Sequence, residues 1–532
     1  ARGALDCSTS AAATPHRPPA RRHAMPHRQV AHAPRMLAVV DMGSNSFRLE
    51  VGRVEGDQIF RLDTWRETLR IGAGIDGKGR LTAGAQRSAL ACLARFAERL
   101  RGLHPGAVRA VATNTFRIAT NADEFLPRAE AALGFPIDII GGHEEARLIY
   151  LGVAHVLPSS AAPRLVIDIG GGSTEFIIGR DIEPIELESL YMGCVGFSLQ
   201  HFPRGRIEKS GMKAAELAAR KELQAIVRQY RKTGWEEAVG SSGTAKALAD
   251  ILEMNGLSES GITRDGLERL RGLLLHAGDL GKLTLQGLRP DRVPVLPGGL
   301  AIMLAVFKEF GLERMTFSEG ALRLGVLYDL LGRYHHQDLR NATVQQFMRR
   351  YQADAVQAAR VAATARGFLL QLLPEAVAAE QPDAQVLDWA ALMHEIGISV
   401  AHSSYHKHSA YILANADMPG FSKMDQARLS RVVLAHRGKL ERVQEIMPDS
   451  PDWLLIFSLR LAVLLHRARD DAPLPAIAVR RREQGFSVAV DPAWLAASPL
   501  SASALEEEGR QWSALGMEIK IKAGRGKSQA AA

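Results

Sequence analysis

The feature that most constrains the fold of this chain is an internal repeat built around two aspartates. An apolar run ends in the turn 41–46, and a second apolar run ends in a similar turn, 168–175. Each copy continues as strands, a helix and a further strand that ends in a polar turn, so we predict two related βββαβα units. Two such units facing each other would place both aspartate turns at one shared cleft. Aligned on the aspartates, the matching pairs are Asp41 with Asp168, Gly43 with Gly170, Ser46 with Ser173, Val51 with Ile178, and Gly52 with Gly179.

The chain divides further along its length, because 532 residues are too many for one hydrophobic core. After about residue 334 the apolar spacing becomes helical, and strand-like runs follow near the end. The first residues are rich in Ala, Pro and Arg, which predicts a disordered or mistranslated extension. We therefore predict this extension, two α/β units, a helical domain, a small α/β or β-rich domain and a disordered tail, with the bounds 1–35, 36–160, 161–334, 335–473, 474–522 and 523–532.

Short patterns predict three local features. The strand 108–112 should lead into a polar turn, 113–117. Asn121, with Glu124 three residues later, is predicted to cap the next helix. A last strand or short helix is expected over 512–521.

Composition limits the partners and the compartment. The formal net charge of +8 comes from the basic ends 1–35 and 511–532, so the body between them is near neutral. We therefore expect no nucleic-acid partner, and any polyanion site must be local. No uninterrupted apolar run approaches the roughly 20 residues that span a bilayer, so no stable membrane insertion is expected. The three cysteines fit neither a metal site nor a disulfide framework, which predicts a reducing compartment, the cytoplasm: Cys7, Cys92 and Cys194.

The two repeated turns are suited to binding phosphate beside a metal ion. A turn rich in Gly and Ser after a strand exposes several backbone N–H groups in one concavity. An aspartate at the strand end can bind a divalent cation directly or through water. One such turn alone would be explained as a structural hairpin, but folding does not require the same aspartate twice. The predicted phosphate-binding residues are Gly43, Ser44, Asn45, Ser46, Gly170, Gly171, Gly172 and Ser173.

These strings resemble those of a known family. Paired Asp-x-Gly turns in two duplicated halves are similar to the actin, Hsp70 and sugar-kinase ATPase superfamily. The turns 41–46 and 168–175 resemble its exopolyphosphatase/guanosine pentaphosphate phosphatase branch. The strings GHEEARLIY at 142–150, GSSGT at 240–244 and LPGG at 296–299 also match that family, in the same order along the chain.

The resemblance implies both a fold and an activity. The fold would be duplicated actin-like (ribonuclease H-like) ATPase domains followed by a helical HD-like domain and a small C-terminal α/β or β-rich domain. The activity would be exopolyphosphatase, that is, Mg²⁺-dependent hydrolysis of the terminal phosphoanhydride of inorganic polyphosphate. Guanosine pentaphosphate (pppGpp) 5′-phosphohydrolase is the alternative, and an ATP-dependent small-molecule kinase or a non-catalytic polyphosphate-binding regulator is less favoured. Family members are often dimers, so a homodimer is expected.

The resemblance also assigns catalytic roles to two residues outside the turns. Two acids at a helix start are commonly just partners of the helix dipole. In the family, however, the second glutamate of the motif is the proposed base, which maps to Glu145, whereas Glu144 would point about 100 degrees away on a helix. Arg117 follows another strand end and is either a solvated surface residue or a guanidinium clamp on phosphate. The family carries an arginine in this motif, which favours the clamp.

The remaining site predictions concern a cation and a second anion-binding turn. Strand alternation puts Glu175 on the same side as Ser173, and the family pattern favours a place for it beside Asp168 around Mg²⁺ or another divalent cation, with Asp41 as a further ligand. The turn 240–244 opens a helix, whose free N–H groups attract anions, although it lacks the Walker spacing. Its predicted binding residues are Ser241, Ser242, Gly243 and Thr244. The string 296–299 either packs structurally or contacts a guanosine.

Histidines of the helical region resemble those of an HD-type phosphohydrolase domain. Glu395 stands where that domain type has the metal-binding aspartate, so we do not expect a working second metal site. We expect this domain to line a channel for the polymer tail, with the arginines of 349–350 and 480–482 as basic contacts. The histidines are His394, His402, His406, His408 and His436.

Overall fold

The computed structural model describes residues 35–56, 58–158, 162–334, 338–374, 381–440 and 452–524. The predictions for 1–34 and 525–532, which cover nearly all of the expected extension and most of the expected tail, lie outside the described residues, as does Cys7.

The first sheet carries the first aspartate turn. Its strands are β1 (Met36–Met42), β2 (Ser46–Glu55), β3 (Gln58–Thr68), β4 (Val108–Ala112) and β5 (Ile137–Ile139). They lie in the order β3-β2-β1-β4-β5, with β1 antiparallel to β2 and parallel to β4. The predicted strand, turn, strand, strand series at the start of the chain is confirmed. The helices of this part are α1 (Ala83–Leu100), α2 (Asn114–Ile118), α3 (Ala122–Leu133) and α4 (Gly142–Ala154).

The second sheet repeats the first and carries the second aspartate turn. Its strands are β6 (Arg164–Ile169), β7 (Thr174–Arg180), β8 (Glu183–Leu190), β9 (Glu237–Gly240), β10 (Ile262–Thr263) and β11 (Arg314–Phe317). They lie in the order β8-β7-β6-β9-β11-β10, so β6 occupies the place of β1. Its helices are α5 (Cys194–His201), α6 (Lys209–Leu223), α7 (Val227–Thr233), α8 (Gly243–Met254), α9 (Arg264–Ala277), α10 (Leu296–Phe310) and α11 (Leu322–Tyr334).

Both copies of the repeat contain a β-bulge at the same position of the hairpin. The ladder between β2 and β3 shifts register between Val51 and Gly52, and the ladder between β7 and β8 shifts between Ile178 and Gly179. These are the residue pairs that the sequence alignment matches. A Cβ on Gly52 would lie 2.5 Å from Ile59, and one on Gly179 would lie 2.2 Å from the Tyr150 ring, so both bulges need glycine.

Helices α4 and α11 lie between the two sheets and join them. A Cβ on Gly325 of α11 would lie 1.7 Å from the carbonyl oxygen of Leu148 in α4, so the absence of a side chain permits this close helix contact. Apolar residues of both sheets and both helices form one buried cluster here, including Leu37, Val39, Leu148, Val166, Ile177 and Val326. The first turn of α4 is therefore held at the boundary between the two halves.

The region after α11 is mainly helical, as predicted, and ends in a small sheet. Its helices are α12 (Leu339–Arg350), α13 (Ala355–Leu372), α14 (Pro382–Met393), α15 (Tyr405–Asn415), α16 (Lys423–Ala435), α17 (Trp453–Leu465), α18 (Pro492–Ala497) and α19 (Pro499–Ser513). The sheet has the order β12-β13-β14, from β12 (Ala478–Arg482), β13 (Gly485–Val490) and β14 (Glu518–Ala523). Phe457, Phe486 and Trp512 stack in one hydrophobic cluster that covers both parts, so the helices and the small sheet share a core.

Three local predictions were wrong in detail. The polar turn 113–117 is mostly the short helix α2. Helix α3 starts where Asn121 predicted, but the side chain of Asn121 does not cap it; it is buried and exchanges hydrogen bonds of 2.8 and 3.2 Å with the backbone of Leu81. A distant backbone segment outcompetes the local cap because it pairs both polar ends of the buried amide. The segment 512–521 holds the end of α19 and the start of β14 rather than one element.

One stretch within the described residues, Val293–Phe310, is long and apolar enough to cross a membrane, with a mean hydropathy of 1.6. It is 78% buried inside the structure, where its main part is the core helix α10. Burial by protein accounts for its apolar composition.

Candidate active site

The structure brings the two repeated turns into direct contact. A Cβ on Gly171 would lie 2.9 Å from the backbone nitrogen of Asn45, and one on Gly172 would lie 2.5 Å from Oδ1 of Asn114. Carbonyl groups of both turns accept hydrogen bonds from backbone N–H groups of neighbouring segments. The carbonyl of Gly170, for example, accepts from the N–H of Cys194. With these carbonyls engaged, the glycines allow the two turns to approach closely at one cleft.

The cleft is a cavity of about 530 Å³ between the two halves. The side chain of Asn45 is buried, and neither its Nδ2 nor its Oδ1 has a partner among the residues that the structure describes. A buried amide with both polar atoms unpaired is costly, which indicates a position for a polar ligand. The predicted site residues that line the cavity are Asp41, Gly43, Ser44, Asn45, Ser46, Glu145, Asp168, Gly170, Gly171, Gly172, Ser173, Ser242, Gly243 and Thr244.

Three predicted site residues lie one contact behind the cavity wall. Ser241 donates from Oγ to Oδ2 of Asp168 at 2.5 Å. Glu175 accepts from Ser189 Oγ at 2.9 Å and is buried. Arg117 donates from Nη1 to Oε2 of Glu145 at 2.6 Å and to the carbonyl of Ile140 at 3.0 Å. In this structure Arg117 therefore orients Glu145.

Negative charge accumulates on one side of the cleft. Burial raises the pKa of Asp168 to about 7, with Glu145 and Asp41 adding to the shift against the Ser241 hydrogen bond. Burial, followed by the nearby charges of Glu145 and Asp168, raises the pKa of Glu175 well above its usual range. Burial also raises the pKa values of Glu145 and Asp41, although Arg117 and Arg323, respectively, oppose it. Too little positive charge lies near these carboxylates to balance their negative charge.

The chemistry of these carboxylates is compatible with a divalent cation that is bound together with an anionic ligand. Among the described residues, no group of three or more His, Cys, Asp or Glu side chains is arranged to hold a metal ion by itself. Mg²⁺ usually keeps several waters and takes one or two carboxylates together with substrate phosphates. Asp168 and Glu175, opposite each other on β6 and β7, can supply those carboxylates.

Positive charge also lines the cavity, from residues that the sequence analysis missed. Burial lowers the pKa of Arg48 to about 9, and the nearby Arg323 adds to this shift. Burial, followed by Arg292, also lowers the pKa of Arg66. Guanidinium groups that lower one another's pKa values indicate a site built for an anion. The basic residues that line the cavity are Arg48, Arg61, Arg66, Lys246, Arg289, Arg292 and Arg323.

One of these arginines could have been found from the repeat. Arg48 lies opposite Asp41 in the first hairpin, as Glu175 lies opposite Asp168 in the second. The same repeat alignment pairs Arg48 with Glu175, between the matched serines and the matched glycines, and so places Arg48 at the cleft. The other arginines come from β3, from the segment before α10 and from the start of α11, which the fold alone brings together.

The turn before α8 combines backbone strain with a close arginine contact. Ser242 has a φ of 126°, which residues other than glycine rarely adopt, and its Oγ accepts from the backbone of Ala245 at 3.2 Å. A Cβ on Gly243 would lie 1.9 Å from Nη2 of Arg292. Strain of this kind is tolerated where the surrounding structure enforces it, often at functional sites. The GSSGT turn thus holds Arg292 against the start of α8.

Several neighbouring residues belong to packing or to other contacts. Glu144 points away from the cleft and binds Arg147 through two hydrogen bonds of 2.8 Å. Gly298 and Gly299 are buried in the first turn of α10, where a Cβ would lie 2.6 Å from Ser198 or from Thr244. The structure therefore supports the packing alternative for the LPGG string.

The histidines of the helical region lie together but away from this cleft. His394 and His436 each contact a backbone carbonyl through Nδ1, and their ring centres are 5.1 Å apart. Glu395 is paired with Arg469 at 2.5 Å. The predicted absence of a working metal site and the predicted channel both stay predictions.

The contact between the two turns can be tested with one methyl group. We expect Gly171→Ala to lower kcat/KM for the phosphate release that the sequence resemblance implies by about tenfold or more, because a 1 Å displacement of site groups has effects of this size. The matched control is Gly196→Ala in α5, where a Cβ meets nothing within 4 Å. Steady-state kinetics of both variants check the prediction, and equal rates for the two would contradict it.

Comparison with known proteins agrees with this arrangement. The model of the Ppx/GppA phosphatase family matches residues 51–334, and that of Ppx/GppA phosphatase, domain III, matches residues 339–509. A solved exopolyphosphatase from Cytophaga hutchinsonii is 24% identical, with a TM-score of 0.50, over 56% of this chain and 97% of that chain. The Aquifex aeolicus member of the Ppx/GppA family is also 24% identical, with a TM-score of 0.47, over 56% of this chain and 97% of that chain.

The structural likeness at this identity concerns the fold alone. The predicted fold, two actin-like α/β units followed by a helical region and a small C-terminal sheet, is confirmed. Since the family models match more than half of the sequence, the chain belongs to the Ppx/GppA phosphatase family.

Proposed function

We propose that this protein is an exopolyphosphatase, which uses water and Mg²⁺ to release orthophosphate from the end of inorganic polyphosphate. The observation that carries the proposal is the charge of the cleft. Buried carboxylates with raised pKa values and partly buried guanidinium groups with lowered pKa values occur at the same cleft. A phosphate chain with a bound divalent cation would balance both sides.

In the proposed reaction the terminal phosphoryl group lies between the two turns. The oxygen of a water molecule attacks the terminal phosphorus, and the anhydride bond to the next phosphate breaks. Glu145 takes the proton of the attacking water, and its raised pKa brings it nearer to the ideal range of a general base at neutral pH. Arg117 keeps the carboxylate in place through its 2.6 Å contact.

The metal proposal rests on the acidic side of the cleft. Asp168 and Glu175, with Asp41 as a further ligand, would hold Mg²⁺. When bound, the ion neutralises charge on the phosphate oxygens. The turn amides and the neighbouring arginines stabilise the charge that builds on the transferred group.

The number of arginines favours a substrate with several phosphates. Arg66 and Arg289 contact Asp291 at 2.7 and 3.2 Å, and Arg292 approaches the same carboxylate at 3.9 Å. One carboxylate cannot balance three guanidinium groups, so further anionic groups fit beside them. This supports polyphosphate, and pppGpp, which also carries several phosphates, is the alternative substrate.

Location and assembly stay proposals. Cys92 and Cys194 are free and buried, which is consistent with a reducing, cytoplasmic location. A homodimer is proposed from the resemblance described above.

The test is orthophosphate release by the purified protein from long-chain polyphosphate, from pppGpp and from ATP, each with Mg²⁺ or with EDTA. We expect release from polyphosphate with the highest kcat/KM, and we expect EDTA to abolish it. Preference for pppGpp would support the alternative. Transfer of phosphate from ATP to a small acceptor without free orthophosphate would replace hydrolysis with a kinase activity.

A further inference from the structure

The first turn of α4 carries three consecutive polar side chains that reach two different parts of the fold. Glu145 reaches the cleft and Arg117. Glu144 and His143 instead reach the helical region of the chain, at the 417–420 loop between α15 and α16. The residue proposed as the base is thus adjacent to two residues that contact another part of the fold.

Both contacts with the 417–420 loop are direct. The backbone N–H of Gly420 donates to Oε2 of Glu144 at 2.9 Å. His143 contacts Asp417 through Nδ1 at 2.8 Å and Glu188 of β8 through Nε2 at 3.1 Å. A histidine with a carboxylate on each ring nitrogen is a donor at both, so it carries a positive charge.

The 417–420 loop is itself held firmly by its surroundings. Thr343 donates to the carbonyl of Pro419 at 2.7 Å, and Arg333 donates to the carbonyl of Gly420 at 3.4 Å. Gly420 has a φ of 86°, which favours glycine, and its N–H faces Glu144 in this conformation. The loop therefore presents a fixed backbone donor and an exposed carboxylate to α4.

Helix α4 meets the 417–420 loop at its N-terminal end, through the side chains of His143 and Glu144. Its N-cap residue is Gly141, and no side chain caps the helix. Free N–H groups at an uncapped helix end favour fraying of the first turn, and Glu145 lies in that turn. We propose that the 417–420 loop positions Glu145 by holding the first turn of α4, so that Asp417 is a positioning residue for the reaction. The inference rests on the proposed function, because it assumes that Glu145 is the base.

The test replaces Asp417 with asparagine in the full chain. Asp417→Asn keeps the shape of an exposed side chain but removes its charge beside His143, so folding is preserved. We expect kcat for phosphate release to fall about fivefold with KM nearly unchanged, since a small displacement of the base acts on the chemical step. Hydrogen exchange of the peptide covering 141–150 should become faster, and Asp417→Glu should restore both measurements.

The control is Asp471→Asn, which breaks an exposed pair with Arg360 in the same region, far along the chain from the loop. It should change neither kcat nor exchange at 141–150. Unchanged exchange in Asp417→Asn, or faster exchange with an unchanged kcat, would overturn the proposal. If the wild-type protein releases no phosphate from any substrate, the proposed function fails, and hydrogen exchange still shows whether the loop holds the helix.

Discussion

Glu145→Gln is expected to lower kcat for phosphate release by about 10²–10⁴-fold while KM stays within a few fold, because general bases contribute about this much. Glutamine keeps the size of the side chain and a hydrogen-bond acceptor for Arg117. It cannot take a proton from water at neutral pH. Steady-state kinetics with polyphosphate, at saturating Mg²⁺, measure the change.

A matched acid-to-amide control separates chemistry from folding. Glu313→Gln removes an exposed carboxylate that pairs with Arg264 at 3.2 Å, and it should leave kcat unchanged. Glu145→Gln also leaves the buried Arg117 without its charged partner, so thermal unfolding of both variants belongs in the same experiment. A folded Glu145→Gln protein with wild-type turnover would remove Glu145 from the mechanism.

Asp329→Asn is expected to lower the free energy of unfolding by about 3–5 kcal/mol, the usual effect of breaking a buried ion pair. Asp329 of α11 is buried and pairs with Arg109 of β4, Arg147 of α4 and Arg333 at 2.8, 2.6 and 3.2 Å. Although burial alone would raise it, these three guanidinium groups hold the pKa of Asp329 well below its usual range. Asparagine would leave all three guanidinium groups without their common partner, and those of Arg109 and Arg147 are buried.

Urea unfolding followed by circular dichroism checks this expectation against the surface control Asp471→Asn, which should change stability by at most about 1 kcal/mol.

Because the pKa of Asp329 is lowered by folding, its contribution to stability is fully present above the pKa that Asp329 has in the unfolded chain. It is lost as the pH falls through the lower pKa of the folded state. The difference between wild type and Asp329→Asn should thus be constant from pH 6 to 8 and shrink in acid. A loss equal to that of the surface control would show that the network is not needed for stability.

The sequence predicted those parts of the fold that depend on local patterns. The strands of both hairpins follow from short apolar runs, and the two touching turns follow from a repeat that is visible in the residues themselves. Phe457, Phe486 and Trp512, by contrast, meet across long stretches of chain, so their shared core could not be read from neighbouring residues.

The arginines of the cleft were missed for a related reason. Arg66 and Asp291 are paired at 2.7 Å although they lie in different halves of the repeat. A single arginine in a sequence is most simply explained as a surface residue, and only the fold shows that several of them meet. Asn121 shows the opposite error, since a good local capping pattern lost to a distant backbone partner that the local sequence does not reveal.

The matching bulges in the two hairpins have a consequence for how this fold diversified. Both copies retain the same backbone, down to the position where the pairing slips, yet one presents a guanidinium and the other a carboxylate at the same ladder position. After duplication, the two hairpins kept the same backbone pairing and came to carry side chains of opposite charge at this position. An anion alone would balance only the guanidinium, and a cation alone would balance only the carboxylate. Two hairpins that differ in charge therefore favour a ligand that brings an anion and a cation together.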